Sequence, residues 1–129
     1  MLVFATETSC DETSICLMEN KSIIEHITFS QEFHKIHGGV VPELAARSHL
    51  EKIQIMTDYL FNKKEIEPNK IDIFAATCGP GLIGSLLVGS TFTKSLAISF
   101  QKPFIPINHL EGHILSTSFN NDIKFPSVV

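Results

Sequence analysis

The clustering of apolar residues predicts a sheet at the start of the chain. Residues 2–8 form an apolar run that ends in hydroxyl side chains, and a polar turn separates them from residues 13–19. Asn20-Lys21 marks a second turn, after which residues 22–29 again have the composition of a strand. Because three strands so close in sequence are joined by tight turns, we predict an antiparallel meander.

The next segment has helical periodicity. Pro42 and Glu43 suit the first turn of a helix, where proline needs no N–H partner and an acidic side chain complements the helix dipole. Apolar residues then recur on one predicted helical face: Leu44, Leu50, Ile53, Met56 and Leu60. Glu67-Pro68-Asn69 is expected to end this element.

The second half of the chain alternates between predicted strands and helices. Residues 71–78 read as a buried strand, and the Gly79-Pro80-Gly81 turn leads into a helix over about 82–99. A short strand at 104–107 and a short helix at 109–119 follow. This alternation is typical of parallel strands that are connected through helices.

The predicted order is β-β-β-α-β-α-β-α, an α/β pattern typical of a ribonuclease H-like lobe. A further apolar run begins at Pro126 and reaches Val129. We therefore divide the chain into a lobe at 1–124 and the start of a second, truncated lobe at 125–129.

Composition narrows the class of protein. The 129 residues are 43% hydrophobic and 19% charged, as in a folded domain. A net charge of -4 argues against binding nucleic acid alone through a basic surface, although RNA can still be the substrate of a larger assembly. The spacing of Cys10, Cys16 and Cys78 fits neither a disulfide framework nor a zinc knuckle. With no signal-peptide pattern at the N-terminus, these features favour the cytoplasm.

One uncharged stretch is long enough to span a membrane. Residues 73–93 contain 21 positions without a charge. Gly79-Pro80-Gly81 interrupts this stretch, and serine, threonine and glycine fill much of the rest. We favour a buried strand followed by a buried helix and expect no membrane association.

The first candidate motif occupies residues 7–13, at the turn between the first two predicted strands. Thr8 and Ser9 offer short hydroxyl side chains that can bind phosphate together with backbone N–H groups. Asp11 or Glu12 can hold Mg²⁺ beside a nucleotide through carboxylate oxygens, or act at the substrate as catalytic groups. A polar hairpin turn without a ligand is the alternative.

The second candidate motif is the glycine-rich turn at 79–84, between a strand and a helix. Glycines such as Gly79 and Gly81 allow close approach of a ligand, and the helix N-terminus attracts anions. Pro80 removes one backbone donor, and no Lys-Ser/Thr pair follows Gly84 as it would in a phosphate-binding P-loop. We favour a tight turn with close helix–sheet packing slightly over direct substrate contact.

The third candidate motif is His109-Leu110-Glu111-Gly112-His113. Histidines four residues apart lie on one face of a helix and can provide two ligands of a metal site. A zinc-protease helix would carry glutamate directly after the first histidine, where this chain has Leu110. No third ligand is evident nearby, and an accidental or structural pair is equally compatible with the spacing.

The remaining histidines have a simpler interpretation. We favour an ordinary surface position for His26, and the others flank the glycine loop and the start of the long helix, where they can be surface or cap residues: His34, His37 and His49. Arg47, the single arginine, has Glu43 and Glu51 one turn away on either side and is expected to form an ion pair.

Four stretches of this chain together resemble one family in order and spacing. They are Glu-Thr-Ser-Cys-Asp-Glu-Thr at 7–13, Gly-Gly-Val-Val-Pro-Glu-Leu-Ala-Ala-Arg-Ser-His at 38–49, Gly-Pro-Gly-Leu-Ile-Gly-Ser-Leu-Leu-Val-Gly at 79–89 and His-Leu-Glu-Gly-His at 109–113. The chain resembles the N-terminal lobe of the TsaD family, also called the Kae/Gcp family. The resemblance covers essentially the whole chain.

The resemblance implies a two-lobed actin/Hsp70-like fold and a tRNA-modifying acyltransferase. The reaction would transfer threonylcarbamoyl from threonylcarbamoyl-AMP to N6 of the adenosine beside the anticodon, in tRNAs that read codons beginning with A. One metal, iron or zinc, would be held by His109, His113 and an aspartate of the second lobe. TsaB-like and TsaE-like proteins would be partners. The second lobe is missing from the 129 residues, so the resemblance implies that the chain is incomplete without it.

Two other functions remain as alternatives. The first is a non-catalytic scaffold like the paralogue TsaB, or an inactive fragment; the His109/His113 pair argues against TsaB, whose relatives lack it. The second is a glycoprotein endopeptidase, an older label for the family, and the position of Glu111 counts against it.

Overall fold

The computed structural model describes residues 1–119 and begins with an antiparallel meander. Strands β1 (Leu2–Glu7), β2 (Glu12–Glu19) and β3 (Ser22–Ser30) form it, and all three predicted strands are confirmed within a few residues. Ala5 pairs with Cys16, which in turn pairs with His26. The predicted run at 125–129 lies outside the described residues.

After the meander, the described residues add two parallel strands and three α-helices. These elements are α1 (Pro42–Lys64), β4 (Ile73–Gly79), α2 (Ile83–Ser99), β5 (Phe104–Asn108) and α3 (His109–Ser116). Three short 3-10 turns lie at Glu32–His37, Pro68–Lys70 and Thr117–Phe119. The last of these replaces the end of the helix predicted at 109–119.

The five strands form one mixed sheet in the order β3-β2-β1-β4-β5. β4 pairs in parallel with β1 on one side and with β5 on the other. This is the α/β architecture that the order of elements predicts, with the meander followed by parallel strands.

The hydrophobic core lies between one face of the sheet and helices α1 and α2. Its fully or almost fully buried members come from β1, β2, β4, both helices and the segment just before β4: Phe4, Ile15, Leu17, Ile53, Met56, Leu60, Ile71, Phe74 and Ala97. Next to them, the Thr6 and Thr93 hydroxyls lie 2.6 Å apart and tie β1 directly to α2. This contact sets how close α2 comes to the central strand.

The predicted buried face of α1 is wrong at two positions. Leu44 is 38% exposed and Leu50 is 67% exposed, whereas Ile53, Met56 and Leu60 are buried as predicted. The first half of the buried face is instead formed by Ala45 and His49, which are both 0% exposed. A pattern based on large apolar residues misses this face because its members there are a small residue and a polar one.

The uncharged stretch at 73–93 is divided between β4 and the first part of α2. Among the described residues, no helix combines the length and the apolar character that a membrane crossing requires. The predicted strand and helix are therefore present at these positions.

Two glycines allow α2 and the turn before it to approach the β1–β2 turn closely. A Cβ atom at Gly81 would lie only 2.7 Å from the Ser9 carbonyl oxygen. A Cβ atom at Gly89 would overlap the Thr8 hydroxyl. The close packing that we predicted for the glycine-rich turn is confirmed at Gly81.

We expect Gly89→Ala to destabilise the fold. Alanine favours a helix over glycine by about 1 kcal/mol, but here its methyl group collides with Thr8, and overpacking of this kind costs about 1–3 kcal/mol. The free energy of unfolding in urea is the measurement. Gly112→Ala in α3 is the control, because its Cβ would meet nothing within 4 Å. Equal midpoints for the two variants would contradict the packing argument.

Candidate functional site

The three candidate motifs meet at one edge of the sheet. β1, β4 and β5 run parallel, so their carboxyl ends lie on the same side, where α/β sheets bind their ligands. The turn after Glu7 follows β1, Gly79 ends β4, and Asn108 pairs with Gly79 directly before His109. Sequence positions more than a hundred residues apart, such as Glu7 and His109, are therefore neighbours at this edge.

The Thr8 hydroxyl and the Ser9 backbone N–H of the first motif are occupied within the protein. The Thr8 hydroxyl donates a hydrogen bond to the Ser85 carbonyl of α2 at 2.7 Å, and Thr8 is 1% exposed. Ser9 is 3% exposed, and its backbone N–H donates to Oε1 of Glu7 at 2.7 Å. Substrate contact by Thr8 and Ser9 stays a prediction, and the structure shows that both hold the turn against α2.

The two acidic candidates lie where the turn enters β2. Asp11 is half-buried and Glu12 is exposed. The Cys10 thiol beside them has a raised pKa, mainly because of its burial and further because of a hydrogen bond to Asp11 and the charge of that residue. The thiol is therefore held in its protonated form, and the acidic groups of this turn are the two carboxylates.

A buried polar network supports the turn from beneath. His49 on α1 has Nε2 at 3.1 Å from the Cys10 carbonyl oxygen and Nδ1 at 2.8 Å from the Thr13 hydroxyl. The Ser85 hydroxyl donates to the same Cys10 carbonyl at 3.3 Å. Two helices thus contact one peptide group of the turn.

The network continues away from the turn through a second histidine. The side chain of Gln31 lies 3.3 Å from Nδ1 of His49 and donates to the Ala45 carbonyl at the same distance. Its Oε1 lies 2.9 Å from Nε2 of His34, and the Val41 N–H donates to Nδ1 of His34. Each polar group of this buried cluster has a partner, as burial requires.

The surface position that we favoured for His26 is confirmed, whereas two of the histidines for which a surface or cap position was one option are buried. His34 is 4% exposed and His49 is 0% exposed, whereas His26 and His37 are exposed. The position of His49, four residues after Ala45 and four before Ile53 in the sequence, was the available signal. The Arg47 prediction is confirmed by an ion pair to Glu43 at 2.8 Å.

The histidine pair of the third motif is convergent. The side chain of Asn108 caps α3 by accepting hydrogen bonds from Leu110 N and Glu111 N. The helix brings Nε2 of His109 within 3.1 Å of Nε2 of His113, with the ring centroids 4.4 Å apart. Two Nε2 atoms so placed can bind one cation together.

Glu7 connects the histidine pair to the turn. The same Oε1 that accepts the Ser9 N–H lies 3.5 Å from Nδ1 of His109. A carboxylate at Nδ1 favours the tautomer whose Nε2 is free to bind a metal. Among residues 1–119, no group of three histidine, cysteine or acidic side chains is placed to hold a metal ion.

The second motif lies between the other two. Gly79 has a φ of +153°, a conformation that favours glycine, and it precedes a cis bond to Pro80. Gly81 packs on Ser9, and the N–H of Leu82 donates to the Ser9 carbonyl at 2.8 Å. Direct substrate contact by Gly79 and Gly81 stays a prediction, and their observed contact is with the first motif.

Comparison with known proteins identifies the family. The model of the family described as TsaD, tRNA N6-adenosine threonylcarbamoyltransferase, matches residues 22–129. The chain belongs to the TsaD family. It is 47% identical over its whole length to the tRNA N6-adenosine threonylcarbamoyltransferase of Fervidobacterium nodosum and 45% identical to that of Kosmotoga olearia.

The chain matches only part of these relatives. It covers 39% of the Fervidobacterium protein and 40% of the Kosmotoga protein. The relative from Onion yellows phytoplasma, 42% identical, is covered over 56% of its length. The match to the TsaD family therefore concerns about two fifths of a typical relative.

Two solved structures confirm the fold. YeaZ from Pseudomonas aeruginosa superposes with a TM-score of 0.61 at 16% identity, over 84% of this chain and 45% of that one. A Pseudomonas aeruginosa protein described as similar to peptidase YEAZ gives the same TM-score at 19% identity, over 83% and 43%. The chain thus shares the fold of these two proteins over most of its length.

We expect the buried His49 to make the fold less stable at acidic pH. Burial lowers its pKa below the usual value near 6.5, so the unfolded chain binds a proton that the folded chain does not bind. The free energy of unfolding should therefore fall as the pH decreases through and below about 6.5. Urea titrations between about pH 5 and pH 8 measure this dependence.

The pH series compares the same substitution at the buried histidine and at an exposed one, which is the control. His49→Gln should flatten the pH dependence, whereas His37→Gln, at an exposed position, should leave it as steep as in the unsubstituted chain. An equally steep dependence in the His49 variant would show that another group carries the pH effect.

Proposed function

We propose that this chain is the catalytic N-terminal lobe of a tRNA N6-adenosine threonylcarbamoyltransferase. The enzyme would transfer threonylcarbamoyl from threonylcarbamoyl-AMP to N6 of the adenosine beside the anticodon, in tRNAs that read codons beginning with A. The observation that carries the proposal is the meeting of three family motifs at one sheet edge in a chain that belongs to the TsaD family. A second lobe would complete the site.

The β1–β2 turn is the proposed substrate side of the site. Asp11 and Glu12 follow a turn that α1 and α2 hold in place, and Glu12 is exposed at its end. We place both carboxylates at the acyl-adenylate. Their oxygens also suit Mg²⁺, which would accompany the nucleotide.

The histidine pair fits a metal site. The two Nε2 atoms lie 3.1 Å apart on one face of α3, and imidazole nitrogens would suit iron or zinc. His109 and His113 would supply two ligands, and an aspartate of the second lobe the third. A bound cation of this kind neutralises negative charge and polarises carbonyl groups.

Glu7 would orient the first of these ligands. Its carboxylate would hold Nδ1–H of His109, while Ser9 N–H keeps the carboxylate itself in position. In metal sites, loss of such an orienting carboxylate weakens metal binding by about 10- to 100-fold.

TsaB-like and TsaE-like proteins are the proposed partners, and the cytoplasm is the proposed location. The similarity to YeaZ also raises the alternative of a non-catalytic scaffold. Sequence identity favours the transferase, since the chain is 42–47% identical to the named transferases and 16–19% identical to the YeaZ-like structures.

We expect transferase activity when the missing part is supplied. In a chimera, this chain replaces the matching N-terminal part of the Fervidobacterium nodosum relative, and incorporation of labelled threonine into tRNA is measured in the presence of the partner proteins. The chimera should be active and the 129-residue chain inactive. If the chimera folds but is inactive, and the 129-residue chain still binds a YeaZ-type partner, the scaffold alternative is favoured instead.

We expect the metal content of this chimera to depend on the histidine pair. His109→Ala and His113→Ala should each reduce the iron or zinc content well below one atom per molecule, because two of three ligands cannot retain it. Glu7→Gln should weaken affinity by about 10- to 100-fold without abolishing binding. His37→Ala is the control. Full metal content in both His109→Ala and His113→Ala would exclude this site.

A further inference from the structure

We propose that His49 is a positioning residue for the reaction, because its ring donates from Nε2 to the Cys10 carbonyl and thereby fixes the turn that presents Asp11 and Glu12. The inference rests on the proposed function, to which it adds a residue that touches neither substrate nor metal. The polar atoms that contact the His49 ring belong to the turn and to the buried network.

The hydrogen-bond partners of His49 determine its tautomer. A carbonyl oxygen only accepts, so the nitrogen at 3.1 Å from Cys10 O, which is Nε2, carries the proton. Nδ1 is then an acceptor, and the Thr13 hydroxyl at 2.8 Å donates to it. The ring is thus held on both sides by the turn and by the strand that follows it.

Three consecutive carbonyl groups of the turn are fixed from outside it. The Ser9 oxygen accepts from Leu82 N at 2.8 Å, and the Asp11 oxygen accepts from Gln31 N at 3.1 Å. The Cys10 oxygen between them accepts from His49 and from the Ser85 hydroxyl. These peptide planes set the starting points of the Asp11 and Glu12 side chains, and His49 is the contribution of α1.

A purely structural residue would not need to be histidine at this position. His49 is 0% exposed and faces the same interior as Ile53 and Leu60, where an apolar side chain would fill the space without a desolvation cost. The imidazole offsets this cost through hydrogen bonds at both nitrogens. What it supplies beyond volume is a donor aimed at the turn and an acceptor for the Thr13 hydroxyl.

The test compares two substitutions in the active chimera. His49→Leu keeps the apolar volume and removes the donor. We expect kcat to fall by about 10- to 100-fold, because the carboxylates are misplaced. The KM for tRNA should change little, because tRNA binding is not affected. His49→Gln retains an N–H donor and should recover most of the loss. Thr57→Val is the matched control, because Thr57 is also buried on α1 but its hydroxyl donates only to the Ile53 carbonyl.

Ser85→Ala tests whether the two donors act on one carbonyl. Ser85 shares the Cys10 oxygen with His49, so the kcat losses of the double variant should differ from the product of the single losses. Independent losses would overturn the shared role. A folded His49→Leu variant with unchanged kcat would overturn the proposal as a whole.

Amide hydrogen exchange in the 129-residue chain tests the contact between His49 and the turn independently of catalytic activity. Loss of a buried hydrogen bond should speed exchange of the backbone N–H groups of residues 9–12 by about tenfold or more in His49→Leu, and less in His49→Gln. Exchange in β5 should stay the same. Unchanged exchange at the turn would disprove the positioning role of His49. Faster exchange in His49→Leu, together with an inactive unsubstituted chimera, would disprove the proposed function alone.

Discussion

The close approach of α2 to the β1–β2 turn is the contact on which the site depends. Small residues on the α2 side make it possible, because a Cβ at Gly81 or Gly89 would collide with Ser9 or Thr8. The approach lets the Thr8 hydroxyl reach the Ser85 carbonyl and the Ser85 hydroxyl reach the Cys10 carbonyl. A larger side chain at either glycine would separate the helix from the turn and remove both bonds.

The sequence predicts most of the fold because its strands and turns are locally encoded. Alternation and turn residues such as Asn20-Lys21 locate the meander, and the glycine-rich turn separates β4 from α2. The buried face of α1 is different, since Ala45 and His49 are buried by what packs on them and not by their own hydrophobicity. Leu44 and Leu50 are exposed for the same reason, although both are strongly apolar.

The candidate site, like the fold, has a part that the sequence predicts and a part that depends on how the elements pack. The sequence predicts the strands after which residues 7–13, Gly79 and His109 lie, but the meeting of these motifs at one edge follows from the observed strand order. The support of the turn could not be predicted either, because it joins Cys10, Gln31, His49 and Ser85 from four separate segments. Side-chain direction at each of these positions depends on how α1 and α2 pack on the sheet.

The chemistry of this edge explains why its three motifs need one another. The candidate groups that it offers are carboxylates and imidazoles: Glu7, Asp11, Glu12, His109 and His113. In the proposed function, carboxylates facing the phosphate of an acyl-adenylate would repel it, and the repulsion would be strong where water is excluded. A cation at the histidine pair, or Mg²⁺ beside Asp11 and Glu12, would reverse the sign of that interaction. Because Glu7 contacts both Ser9 and His109, one side chain links the acidic turn to the histidine pair.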